Sequence, residues 1–145
     1  MGWTPWIERA MDGIKRHEGL RLKPYRCPAG KLSIGYGRNL EDVGILEAEA
    51  EVLLRNDVRR AVDTATRCAA DHGVLFEALS EDAKVVLTDM AFNLGFRLKG
   101  FRKMFAALRE GDYEGAAREM LDSRWARQVG KRARELAEIM KNIGR

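Results

Sequence analysis

The sequence predicts an α+β fold, with a small antiparallel hairpin near the N-terminus and helices along almost all of the remaining chain. Three observations carry this. Apolar residues recur at helical spacing from about Glu47 onward. Between residues 20 and 37 that period gives way to alternation, interrupted by Pro28 and Gly30. With 46% hydrophobic residues among 145, the chain can bury a core without disulfides or metal.

The elements follow in order. Thr4 and Pro5 read as an N-cap and a first helical residue, and Ile7, Ala10, Met11 and Ile14 fall on one helical stripe. Gly19 stops that helix, which leaves Glu18 at its exit. Leu20, Leu22 and Tyr25 alternate with Arg21 and Lys23 as in a short strand. Cys27-Pro28-Ala29-Gly30 suits a type I turn, and Lys31 to Gly37 make the returning strand. A long helix is expected from about Glu47 to Arg67, with Leu54, Val58, Ala61, Val62 and Ala65 on one face. Ser80 can cap the next helix, whose face is Val86, Met90, Ala91 and Leu94 before Gly95. Three more stripes are Phe101-Met104-Phe105-Leu108, Tyr113-Ala116-Ala117-Met120-Leu121 and Ala133-Leu136-Ala137-Met140-Ile143. The expected organisation is a single domain over residues 1–145. A small β lobe spans about 15–46, and residues 1–14 and 47–145 form the helical lobe with a long linking helix.

The formal charge is +4, with 26 basic and 22 acidic residues, and the pI is about 9.3. Such a surface favours polyanions, among them nucleic acid, an anionic membrane surface or an acidic wall polymer. Two cysteines, Cys27 and Cys68, are too few for a disulfide framework and lack metal-ligand spacing. Cys68 reads as a small packed residue. The first ten residues contain no continuous apolar run, so no cleaved leader is expected. No stretch reaches the ~18 apolar residues of a membrane span, and no clustered basic helix or nucleic-acid motif appears.

Phosphate-binding loops, dinucleotide fingerprints, zinc-protease motifs and nucleophile elbows are all missing. The informative stretch is His17-Glu18-Gly19-Leu20-Arg21, then Tyr25, then Ser33-Ile34-Gly35-Tyr36-Gly37. It sets a carboxyl at a helix end against a glycine-rich hairpin. In a partly desolvated cleft such a carboxyl serves as a general acid. By itself, a glutamate after a helix is ordinarily a solvated residue.

The same residues resemble the active-site segment of phage-type lysozymes, glycoside hydrolase family 24. The resemblance continues through Ala48 to Asp57, Ala91-Phe92-Asn93-Leu94-Gly95, Gly100-Phe101, Ser123-Arg124-Trp125 and Lys131-Arg132-Ala133. It implies a lysozyme-like fold and hydrolysis of the β-1,4 bond between N-acetylmuramic acid and N-acetylglucosamine in peptidoglycan. It also implies Glu18 as the acid, a hydroxyl at Ser33 that orients water, Arg132 as a partner of the catalytic glutamate, and Asn93 as a sugar-binding amide. Tyr25 is a supporting residue of the same segment. Arg38 stands where many members carry histidine.

Cys27 is the departure, standing where the family most often has aspartate. A thiolate there can stabilise charge or position water, it can attack the anomeric carbon, or it can be a dispensable turn residue. The flanking Arg26 and Lys31 are expected to favour the thiolate. The missing aspartate also keeps open a non-catalytic wall-binding protein on the same fold.

The resemblance implies an inverting single displacement and no metal or organic cofactor. The expected partners are peptidoglycan glycan strands, with no nucleic acid, no membrane insertion and a monomeric chain. It further implies accumulation in a host cytoplasm and release to the periplasm through a separate pore protein.

Overall fold

A computed structural model describes residues 2–145. Its architecture is α+β, as the alternation and helical periods predict. The chain divides into two compact units, one running to Val52 and the other from Leu53 to Arg145.

In the first unit, helix α1 spans Pro5–Glu18. Thr4 is extended before it, Pro5 opens it, and Gly19 ends it at φ 71°. A positive φ is open to glycine at little cost, so the helix stops where the sequence indicates. The apolar stripe exists, but none of α1 is buried and Ile14 is 51% exposed.

Three antiparallel strands follow in the order β1 (Arg21–Arg26), β2 (Leu32–Gly35) and β3 (Arg38–Asn39). Tyr25 pairs with Ser33 and Arg26 with Leu32 across β1 and β2. The turn between them is closed where the Gly30 N–H donates to the Cys27 carbonyl at 2.8 Å and the Cys27 N–H to the Lys31 carbonyl at 2.9 Å. The third strand adds to the predicted hairpin. It pairs Ser33 with Asn39 and Ile34 with Arg38.

Helix α2 runs Glu47–Asp71, one turn longer than its apolar pattern suggests, and the boundary between the units falls within it. Past that boundary Ala61, Ala65, Cys68 and Ala69 are buried, whereas Leu54 and Val58 stay 49% and 37% exposed. Ser80 caps α3 (Glu81–Leu94), its hydroxyl accepting from the Ala83 N–H. Helices α4 (Arg102–Arg109), α5 (Tyr113–Leu121) and α7 (Lys131–Lys141) bury most of the stripes expected of them, although Leu121 is 45% exposed and Phe101, Tyr113 and Ile143 are half-buried. Helix α6 (Arg124–Val129) is an addition, capped by Ser123. Leu87, Met90, Leu98, Met104, Phe105, Met120 and Met140 are the large side chains at the centre of this core. Cys68 is fully buried among them, and that burial pushes its thiol upward. It therefore behaves as a small apolar residue.

Candidate active site

Glu18 is the last residue of α1 and is exposed. Its carboxyl lies directly on the backbone of Gly37. A Cβ at that position would stand 2.8 Å from Glu18 Oε2, and Gly37 itself has φ 79°. Two constraints therefore select glycine there, the backbone conformation and the carboxyl above it. Lys15, one turn back along α1, places its ammonium 5.6 Å from the Tyr36 ring centre. That cation–π contact joins the end of α1 to the glycine-rich segment following β2.

Cys27 immediately follows β1 and opens the turn, and Ser33 lies in β2 on the far side of it. Ser33 is the buried polar side chain of this unit, 2% exposed, and its hydroxyl donates to the Lys31 carbonyl at 3.1 Å. Cys27 is half-buried and unpaired with any other cysteine. Its thiol is held below its ordinary range. The largest cause is the Lys31 backbone N–H, opposed by burial and helped by the Ala29 N–H and the Ser33 hydroxyl. Hydrogen bonds to the charged form of a thiol favour thiolate.

The direction agrees with the sequence reading, but the source differs. Arg26 is tied to Glu41 at 2.5 Å and Lys31 to Asp42 at 3.4 Å, so neither cation is dedicated to the sulfur. Backbone amides do what the flanking charges were expected to do. Tyr25 packs under the Arg21 guanidinium, 4.9 Å from its ring centre, and supports the strand pair beside Ser33.

Arg38 holds a structural role that its position left open. Its two terminal nitrogens donate to Glu49 at 2.7 and 2.8 Å, and one also donates to the Gly44 carbonyl at 3.0 Å. The Leu46 N–H donates to the same Glu49 carboxylate at 2.7 Å. The arginine fork lowers Glu49 from its ordinary 4.5 to about 2, helped by the Leu46 amide. This clamp fixes β3 to the start of α2. It was not legible beforehand, because partners eleven residues apart are set by the tertiary fold.

The remaining candidates lie in the second unit. Asn93 accepts a hydrogen bond from Trp125 Nε1 at 2.7 Å, so its carbonyl oxygen is committed and its amide NH₂ remains to donate. Trp125 is buried and meets Phe101 edge-on at 6.0 Å. Arg132 is half-exposed and bonds Asp89 through Nε at 2.7 Å and through a terminal nitrogen at 2.6 Å. Asp89 was not anticipated. Its place on α3, with no spacing signal toward Arg132, gave no hint of the pairing.

The family model described as phage lysozyme matches residues 15–140. An endolysin of Acyrthosiphon pisum secondary endosymbiont phage 1 is 33% identical over 86% of this chain and 84% of its own length. An endolysin of Bacillus phage B103 is also 33% identical, over 81% of the chain, but the match spans 44% of that relative. The pre-baseplate central spike protein Gp5 of Enterobacteria phage T4 is 28% identical over 88% of the chain and 26% of its own length.

Proposed function

The chain belongs to the phage lysozyme family, and from that premise we propose that Glu18, Cys27 and Ser33 are the catalytic residues of a peptidoglycan-hydrolysing lysozyme. One observation carries the assignment. The Glu18 carboxyl rests on Gly37, immediately beyond the strand that bears Ser33, while Cys27 closes the turn leading into that strand. The acid and the thiol–hydroxyl pair are thus built on one short stretch of backbone.

The chemistry follows from these groups. Protonated Glu18 gives its proton to the glycosidic oxygen between N-acetylmuramic acid and N-acetylglucosamine as the C1–O bond breaks. Positive charge develops at the anomeric carbon, and a water attacks from the opposite face. The Ser33 hydroxyl orients that water, and the Cys27 thiolate, in the role usual for an aspartate, accepts the proton the water loses as the new C1–O bond forms. The thiol and the Glu18 carboxylate then return to their starting states by proton exchange with solvent. The result is a single displacement with inversion. Asn93 keeps its amide hydrogens to donate to sugar, while Arg132 is engaged by Asp89 within the second unit. The enzyme is proposed to work as a monomer on glycan strands after release from the host cytoplasm through a separate pore protein. Among the described residues no helix is long and apolar enough to cross a membrane.

General acids contribute about 10²–10⁴-fold to such reactions. Glu18→Gln is expected to lower the release of reducing ends from purified peptidoglycan by that factor, with an unchanged circular-dichroism spectrum. Equal rates for the two proteins would sink the assignment of Glu18.

A further inference from the structure

Glu41 lies in the turn after β3, outside the set of residues assigned above. One of its oxygens accepts from Arg26 at 2.5 Å and from the Leu32 N–H at 3.0 Å. Arg26 immediately precedes Cys27, and Leu32 immediately precedes Ser33. The same Arg26 nitrogen also donates to the Gly30 carbonyl at 3.1 Å, across the base of the Cys27 turn. Arg26 and Leu32 are themselves paired across the strands. Glu41 is in turn aimed by its own loop. The Leu40 N–H donates to the Leu32 carbonyl at 2.8 Å, and the Asp42 N–H to Asn39 Oδ1 at 2.9 Å. Asp42 Oδ2 accepts from Asn39 Nδ2 at 3.0 Å, and Lys31 reaches Asp42 at 3.4 Å.

We propose that Glu41 is a positioning residue for the reaction: by clasping the residues just before Cys27 and Ser33, it holds the turn in the shape that presents the thiol to its amide and hydroxyl donors. The inference rests on the reading of Cys27 and Ser33 as catalytic groups. Glu41 touches neither of them and acts through Arg26 and the Leu32 amide.

A charge effect and a positioning effect oppose each other here, which makes the proposal decidable. Deleting the Glu41 charge leaves Arg26 uncompensated beside Cys27. Coulomb attraction alone then favours the thiolate and lowers the thiol's titration. Loosening the turn instead withdraws the Lys31 and Ala29 amides from the sulfur and raises it. Glu41→Asp separates the two further, because it keeps the charge and shortens the reach. Arg26, Lys31 and Asp42 are the other charged groups of this turn and stay in place in both variants.

The test is the pH dependence of iodoacetamide labelling at Cys27 in the intact protein, read on the Cys27 peptide by mass spectrometry; Cys68 is fully buried. The midpoint is expected to rise by about one pH unit in Glu41→Ala, and in the same direction in Glu41→Asp. Glu41→Gln keeps an acceptor oxygen for the Leu32 amide and is expected to stay at or below the native midpoint. The two raised variants are expected to lose kcat with KM nearly unchanged. A midpoint in Glu41→Asp that matches the native one, or that falls in Glu41→Ala, overturns the proposal. If Glu41→Ala does not fold, the Asp and Gln pair decides alone. A raised midpoint without any loss of kcat supports the clasp and counts against the catalytic reading of Cys27.

Discussion

The two units are held together by different physics. Among the described residues, every apolar residue of the buried core lies at Ala61 or beyond. In the first unit, the buried side chain among the described residues is Ser33, while Trp3, Trp6, Leu20, Leu22 and Val43 are largely exposed. Its order comes instead from a three-stranded ladder and from Arg26–Glu41, Lys31–Asp42 and Arg38–Glu49. Apolar burial is strong and carries no charge to titrate or screen, whereas exposed ion pairs are weak and sensitive to pH and ionic strength. The candidate chemistry therefore sits in the part of the chain that is easiest to perturb, in keeping with functional segments being drawn from the low-stability end of a structure.

The sharpest way to break this contrast is to cut into the core. Phe105 is fully buried and stacks on His72 with ring centres 4.9 Å apart. Phe105→Ala is expected to cost about 3–5 kcal/mol, read as a lower urea midpoint. A loss under 1 kcal/mol would show that burial does not carry the second unit.

Gly37→Ala probes the other side of the comparison. It puts a methyl 2.8 Å from Glu18 Oε2 on a backbone with φ 79°. Turnover is expected to fall about tenfold or more, because misplacing a catalytic group by about 1 Å costs up to ~10²-fold. The strain at positive φ adds about 1–2 kcal/mol. Native turnover with a native Tm would remove the Glu18–Gly37 contact from the account.

The smallest effect concerns the Arg38–Glu49 clamp. Glu49 titrates at about 2 in the folded chain against an ordinary 4.5. A lowered folded value means that its stabilisation is complete above about pH 4.5 and is lost as pH falls toward 2. Glu49→Gln is expected to flatten the fall of Tm within that window and to leave the slope near neutrality unchanged. Identical acid limbs for the two proteins would assign the acid sensitivity elsewhere.

The helices of the second unit were legible because periodic stripes and local caps are written in contiguous residues, as at Ser80 and Gly95. Helix α6 escaped because six residues make too short a stripe to stand out. Strand β3 escaped because Arg38 and Asn39 are polar and become a strand only by pairing with β2. In α1 the helix and its stripe were legible, but periodicity reports a face and not what covers it, and none of that face is buried. The spacing of Glu18, Cys27 and Ser33 was readable, but their chemical roles came from resemblance. The Glu41 and Glu49 clamps depend on partners fifteen and eleven residues away, which no local signal records.

The proposed role of Cys27, an amide-held thiolate in the place usual for an aspartate, is tested most directly by kcat/KM on purified peptidoglycan for Cys27→Ala and Cys27→Asp across a pH series. At least a tenfold loss is expected in the alanine variant. The aspartate variant is expected to retain activity, with its acid limb moved to lower pH because a carboxyl ionises near pH ~3.9. Full activity in Cys27→Ala would contradict that role.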